Sequence, residues 1–473
     1  MRYIKDNKTI NVWLPNKLFT ELKCKIEERN KIVVSPKLQL AQASYLLNLV
    51  IYLPIKYKDK YEDEWIPICS QAHKNFKHFS KYINFLVENG LLIKNEKNYS
   101  TVTKECKKFA LPFKYRNQLI SHTVVKGHAK FIEARKEIGV ERMRKADENT
   151  SHLTKWLKPE YFEFNYEEAK EYVNSKYGKE QLAKHNSRIL ILDIIQKQDW
   201  GYSREGKDNR LHSVITSLPK DLRPFLSFKG NSLISLDINN SQPFVFCAML
   251  NTLNTKPHLF YEGGRERMID RILATTNMPN MFDLNDQVPF NKGLQRFVDE
   301  VVSGMFYEKY GGVLYQEDIL LVNNSGRYFF MEYQSKKNSL ICRKYNTLRE
   351  AAKHITMKTL FCSKLYKQAI ITVFKKYYPE VYKVMQAFKR PNDRAYFPIL
   401  LQNIEADCIL DYCTHNIAER FPEIPLITIH DSIITTENNI EIVEREFRKH
   451  LHNYFGLMPK LQREYWTKLK EAV

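Results

Sequence analysis

A chain of 473 residues, 43% hydrophobic and 13% aromatic, is long and apolar enough for about two to four packed units, which excludes an intrinsically disordered protein. Lys and Arg number 74 against 54 acids, giving a formal charge of +20, a balance that suits a polyanionic partner without identifying one. The longest apolar run, 43–55, is too short to span a bilayer and reads as a buried helix; residues 1–11 are charged and no signal peptide is expected, so a cytoplasmic protein is.

The eight cysteines are scattered, with no CxxC pair and no zinc spacing, and read as reduced, packed thiols. No internal repeat stands out. In the first 115 residues the pattern predicts a helix over 36–52, charged punctuation over 56–64, and a short strand at Trp65-Ile66-Pro67-Ile68. Helices follow over 70–76 and 79–89, the second stopped by Gly90. Then come a strand at Leu91-Leu92-Ile93, a polar tip over 94–103 and a strand over 107–113. Three helices and a hairpin in this order outline a winged helix-turn-helix, with 77–85 leading the recognition helix and 94–104 forming the wing. A wing used for protein contacts or as a spacer fits the same pattern.

Charged, helix-favouring sequence follows, with long helices expected over 130–147 and 167–195. After a break between Trp200 and Asn209, strands are expected over 232–238 and 426–430 and helices over 349–367, 402–418 and 440–452.

Two segments in this last region carry chemistry. In Leu233-Ile234-Ser235-Leu236-Asp237-Ile238-Asn239-Asn240-Ser241-Gln242-Pro243 an apolar strand ends on a carboxylate and turns into a helix. In Leu426-Ile427-Thr428-Ile429-His430-Asp431-Ser432-Ile433-Ile434 the chain reads as a hairpin with Asp431 at its tip. A buried strand-end acid is costly unless partnered. Two of them on one sheet can hold the paired divalent ions that phosphoryl transfer uses, and carboxylates are ligands suited to Mg²⁺. Taken singly, each is an ordinary cap or salt-bridge partner.

The order of motifs resembles that of the family-A DNA polymerases and of their relatives, the single-subunit phage-type RNA polymerases. The Asp237 segment is similar to motif A and the Asp431 segment to motif C. Between them, the segment from Arg349 through Lys353 to Phe361 is similar to motif B. Asn209-Arg210-Leu211-His212-Ser213 and Gln402-Asn403-Ile404-Glu405-Ala406-Asp407 match two further family segments in the right order, so the resemblance covers about 200–455. It implies an α+β right-hand polymerase: a winged-helix-like domain over 1–115, a helical linker and thumb-like region over 116–225, and a palm over 226–473 with fingers inserted at about 255–375. It further implies two Mg²⁺ ions, replaceable by Mn²⁺, on Asp237, Asp431 and the Ile238 backbone. Arg349, Lys353, Phe361, Gln242 and Tyr307 would meet the nucleoside triphosphate, although Tyr307 equally fits a core aromatic. Arg210, Gln402 and His430 would meet a primer-template duplex; His430 also fits a strand-end histidine. No proofreading exonuclease is expected.

The sequence departs from the family at three points. Gln242 stands where bacterial DNA polymerases have Glu, Phe361 where they have Tyr, and Ser432 where they have Glu. Gln is isosteric with Glu, which favours deoxynucleotides, while RNA synthesis stays open. Glu405 and Asp407 sit on a helix and read as packing or salt-bridge residues rather than metal ligands. A single-subunit RNA polymerase, a non-catalytic nucleic-acid-binding replication initiator, and an accessory polymerase of a mobile element or antiviral system are the alternatives.

Overall fold

The structure is a computed structural model that describes residues 9–56, 65–70, 73, 76–95, 106–198, 200–254, 264–276, 292–334, 339–391 and 393–467. It is a helix-rich α+β fold. Its largest core is built around a four-stranded antiparallel sheet in the order Ile427–Ile429, Ser432–Thr436, Leu233–Ile238, Leu461–Tyr465. Leu233, Ile234, Ser235 and Leu236 are all buried, as a continuous apolar run covered on both faces predicts. The edge strand Leu461–Tyr465 is mostly polar, and its short length and charged Arg463 and Glu464 suit an edge. Sequence periodicity alone does not reveal it.

Helices Ser241–Asn254, Tyr396–Ala406 and Ile440–Phe455 pack around this sheet. The helix expected over 402–418 begins instead at Tyr396 and passes through a π-helical stretch, Asp407–Cys413, into Thr414–Arg420. The helix expected over 167–195 is two, Tyr166–Lys176 and Leu182–Gln196, because the chain turns out of helical geometry at Tyr177 and Gly178. The helix carrying Arg349 spans Leu348–Phe361, capped by the Thr347 hydroxyl on the Glu350 amide at 3.1 Å, and it stops at Cys362, whose backbone is extended.

A second core collects side chains from Val12 to Ile132. Here Ile66–Pro67, Lys108–Ala110 and Ile93–Asn95 form a small antiparallel sheet with Lys108–Ala110 in the middle, and helix Phe79–Glu88 buries Tyr82, Ile83, Phe85 and Leu86. Gly90 follows that helix with φ 64°, the left-handed turn a side chain would resist. Residues 113–116 are a helical turn, not the end of a strand. Most of the expected 70–76 helix, and the tip beyond Asn95, lie outside the described residues. Strand Thr9–Pro15 pairs with Ile120–Lys126, and the Trp13 indole donates to the Asp193 carboxylate at 3.0 Å, which ties this unit to the larger core. Among the described residues no helix is long and apolar enough to cross a membrane.

Candidate active site

The sheet register brings the two aspartates together. Asp237 pairs across the ladder with Ser432, and Ile429 pairs with Ser432, so His430 and Asp431 form the two-residue turn beside the end of the Asp237 strand. A two-residue hairpin turn calls for a left-handed backbone, and His430 supplies it with φ 51°. Asn240, φ 57°, makes the corresponding turn after Asp237 and starts the helix that buries Gln242.

The electrostatics of this corner are unusual. Burial pushes the Asp237 carboxyl above its ordinary range, and the Glu464 carboxylate adds to the effect, while the Ser432 hydroxyl, Lys220 and Arg223 oppose it. Asp431 keeps part of its surface open, yet it is enclosed densely enough that its carboxyl is pushed up to about 7. Burial contributes most, and the negative charges of Glu405 and Asp237 add repulsion that Arg210 only partly offsets. Two carboxylates that cannot comfortably both ionise fit a bound divalent cation, whose charge removes the conflict. Among the described residues no group of three or more His, Cys, Asp or Glu forms a metal-ligand set. A site with two carboxylates accordingly needs substrate oxygens or water to complete a Mg²⁺ shell.

The third acid at this corner is Glu405. It is buried, with 2% of its surface exposed, and serves as a hub: Arg210 donates to one oxygen, while Ser241 and the Gln242 amide (2.6 Å) donate to the other. The sequence placed Glu405 in a packing or salt-bridge role, and it does bridge to Arg210. What the sequence does not signal is its position beside Asp431. Asp407 fulfils the salt-bridge expectation away from the aspartate pair: Arg267, Arg271 and the Tyr454 hydroxyl all donate to it, at 2.6–3.0 Å. The loop that presents Arg210 is pinned to the same helical segment. Arg204 makes a two-pronged bond to Asp411 at 2.6 Å per prong, and the Asn403 amide donates to the Lys207 carbonyl at 2.8 Å. Asp411, in the π-helical stretch six residues beyond Glu405, thus faces the loop.

The remaining expected residues divide into near and far. Arg349 reaches the corner: it donates to Glu308 and, at 3.4 Å, to the Asn240 side chain, and its guanidinium lies 5.4 Å from the centre of the Tyr307 ring. Tyr307 is buried, and burial drives its phenol well above its ordinary value while the Asp431 charge acts on it too. It is therefore a core aromatic that also lies within electrostatic range of the aspartate corner. Gly304, just before the helix Phe306–Gln316 that carries Tyr307, has φ 76°, a left-handed backbone that glycine adopts freely. Lys353 is exposed one turn along from Arg349, and Phe361 packs on the core at the far end of the same helix. Gln402 is half-buried three residues before Glu405. The His430 ring lies 6.4 Å from that of His212. Ile238 is buried and pairs in register with Leu461.

No protein-family model matches the sequence, and no curated protein does either. Among solved structures, the chain is similar to the POL domain of Pol1 from M. smegmatis in complex with DNA primer-template and dNTP, with a TM-score of 0.31 and 12% identity. The likeness covers 61% of this chain and 53% of that one, so it spans about half of that structure's length. What the corner can do is set by its own residues.

Proposed function

We propose that this chain is a template-dependent nucleotidyltransferase, a DNA polymerase without proofreading that extends a primer 3′-hydroxyl. One observation carries this: strand pairing sets Asp237 beside Asp431 at one sheet end, with both carboxyls pushed toward protonation. Asp237, Asp431 and the Ile238 carbonyl would hold two Mg²⁺ ions, or Mn²⁺, which when bound neutralise phosphate charge and make the primer hydroxyl easier to deprotonate. Arg349, on the helix facing this corner, and Lys353 would neutralise the triphosphate. Tyr307 would wall the pocket, and Phe361 would pack on the base or sugar. Gln242, held by Glu405, would crowd the sugar's 2′ carbon and favour deoxynucleotides. Arg210, Gln402 and His430 would meet the primer-template duplex. The fold reading that goes with this is a palm over 226–473 with inserted fingers, a helical thumb-like region over 116–225, and a winged-helix-like domain over 1–115. Its helix Phe79–Glu88 would face nucleic acid.

The test is a primer-extension assay with separate dNTP and rNTP pools on DNA and RNA templates, with and without primer. Metal-dependent incorporation that Asp237→Asn abolishes is the expected result. Full incorporation by that variant would remove the assignment, and incorporation of rNTPs alone without primer would make the chain an RNA polymerase.

A further inference from the structure

Away from the aspartate corner, another surface sets aromatic rings beside a cation. Strands Leu321–Val322, Tyr328–Gln334 and Ser339–Tyr345 form an antiparallel sheet, with Tyr328–Gln334 in the middle. Directly opposed residues share a face, so the register sorts the side chains. Phe330, Glu332 and Tyr345 point inward toward helix Leu348–Phe361, where the His354 ring lies 6.4 Å from Phe330 and 5.7 Å from Tyr345. The other face carries Phe329 opposite Lys344 and Leu321, and Tyr333 opposite Leu340, with Met331 between. Leu340 is 63% exposed, Leu321 51%, Met331 47% and Tyr333 40%.

The charge on this sheet is one-sided. Between Leu321 and Tyr345 the sequence has five cations (Arg327, Lys336, Lys337, Arg343, Lys344) and one acid, Glu332. That acid faces inward and is neutralised there by Arg343, at 2.7 Å, and Lys358. The outward face therefore shows the Phe329 and Tyr333 rings and apolar side chains beside Lys344, with no acid among its strand residues. Lys344 leans over the Phe329 ring at 5.9 Å. Two further strand residues on one face would be spaced about 7 Å apart, so Phe329 and Tyr333 lie roughly 13 Å apart along the strand, enough for successive bases rather than one.

We propose that this outward face binds single-stranded nucleic acid, with bases stacking on Phe329 and Tyr333 and phosphates meeting Lys344 and Arg327. Flat rings interleaved with cations serve single strands, whose bases are free to stack, better than duplexes, whose bases are already stacked. The surface does not require the aspartate corner to be catalytic.

The test uses the full chain and fluorescence anisotropy with labelled single-stranded DNA and RNA of about 20 nucleotides and the matching blunt duplex. The double variant Phe329→Ala/Tyr333→Ala should weaken single-strand binding at least about tenfold and leave duplex binding within about twofold. Phe329→Tyr/Tyr333→Phe, which keeps both rings, should bind like wild type, and Lys344→Glu should weaken binding and flatten its salt dependence. Asp237→Asn should leave single-strand affinity unchanged, which separates this surface from the corner. Unchanged single-strand affinity in the double variant would overturn the proposal, as would equal losses for single strand and duplex. So would loss of self-association in sedimentation with oligonucleotide affinity retained, since a second copy of the chain would then be the occupant.

Discussion

Replacing Asp431 by Asn should make the metal-free protein more stable while destroying its activity. The Asp431 carboxyl ionises at about 7 in the fold against an ordinary 3.8, a rise caused first by burial and then by Glu405 and Asp237. A folded-state value above the unfolded one means the unfolded chain gives up this proton first. Stability from this group is therefore intact below about pH 4, falls as pH rises, and reaches its full loss above about pH 7. Three units at about 1.4 kcal/mol each set an upper bound of about 4 kcal/mol. Partial exposure of the side chain and salt screening reduce this to about 2 kcal/mol.

Denaturant melts in EDTA should then show Asp431→Asn about 2 kcal/mol more stable than wild type at pH 8 and equal to it at pH 4. Added Mg²⁺ should stabilise wild type and leave the variant almost unmoved, because binding to the folded state alone raises stability by mass action. In primer extension the same variant should fall at least about a hundredfold. A variant less stable than wild type at pH 8 without divalent ions would refute the account of a charge-crowded corner. Mg²⁺ stabilising both proteins equally would refute Asp431 as a ligand.

Other perturbations follow from the same contacts. Glu405→Ala leaves the half-buried Arg210 without its anion and should cost about 3 kcal/mol in denaturant melts, whereas Glu405→Gln, which keeps the hub's shape, should shrink the stability that the metal-free protein loses as pH rises and complete that loss at a lower pH. Arg349→Ala should raise the KM for nucleoside triphosphate about tenfold with kcat changed much less, measured by steady-state extension, if its charge serves ground-state binding. Gln242→Gly removes the side chain that Glu405 holds and should narrow the preference for dNTPs over rNTPs about tenfold in paired kcat/KM measurements. Tyr307→Ala opens a buried cavity and should cost about 3 kcal/mol, whereas Tyr307→Phe should cost under about 1 kcal/mol in the same melts.

How much of this was legible in the sequence depends on whether a feature is written in local pattern or in long-range pairing. The Asp237 strand was legible because four consecutive apolar or small side chains are buried on both faces, and its carboxylate gained meaning only from the order of the motifs around it. The His430–Asp431 turn was legible because an apolar strand on each side leaves little but a tight hairpin between them. Strand Leu461–Tyr465 was not, since at an edge its side chains are mostly half-exposed and no face repeats clearly. The three-stranded sheet of Leu321–Val322, Tyr328–Gln334 and Ser339–Tyr345 was missed for a related reason. Its outward face is apolar too, so Tyr328–Gln334 lacks the polar-out alternation that marks an ordinary half-buried strand.

Glu405 is the more instructive case, because its residue type and helical setting both pointed, correctly, to a salt bridge. Helical spacing says which neighbours on its own helix a side chain can meet, and nothing about the 195 residues of sequence that separate Glu405 from Arg210. The bridge acquires its significance only from what else the fold brings within range. Had Arg210 faced Glu405 far from the aspartates, the pair would be structural alone. Placed here, Arg210 offsets part of the charge on Asp431 while Glu405 adds to it, and the same carboxylate fixes the Gln242 side chain. One largely buried ion pair therefore couples the charge state of the metal-ligand candidates to the wall that would judge the sugar. Glu405→Gln should then move both properties together, the pH dependence of metal-free stability and the ratio of dNTP to rNTP use. A change in one with the other fixed would show that this carboxylate does not couple the two.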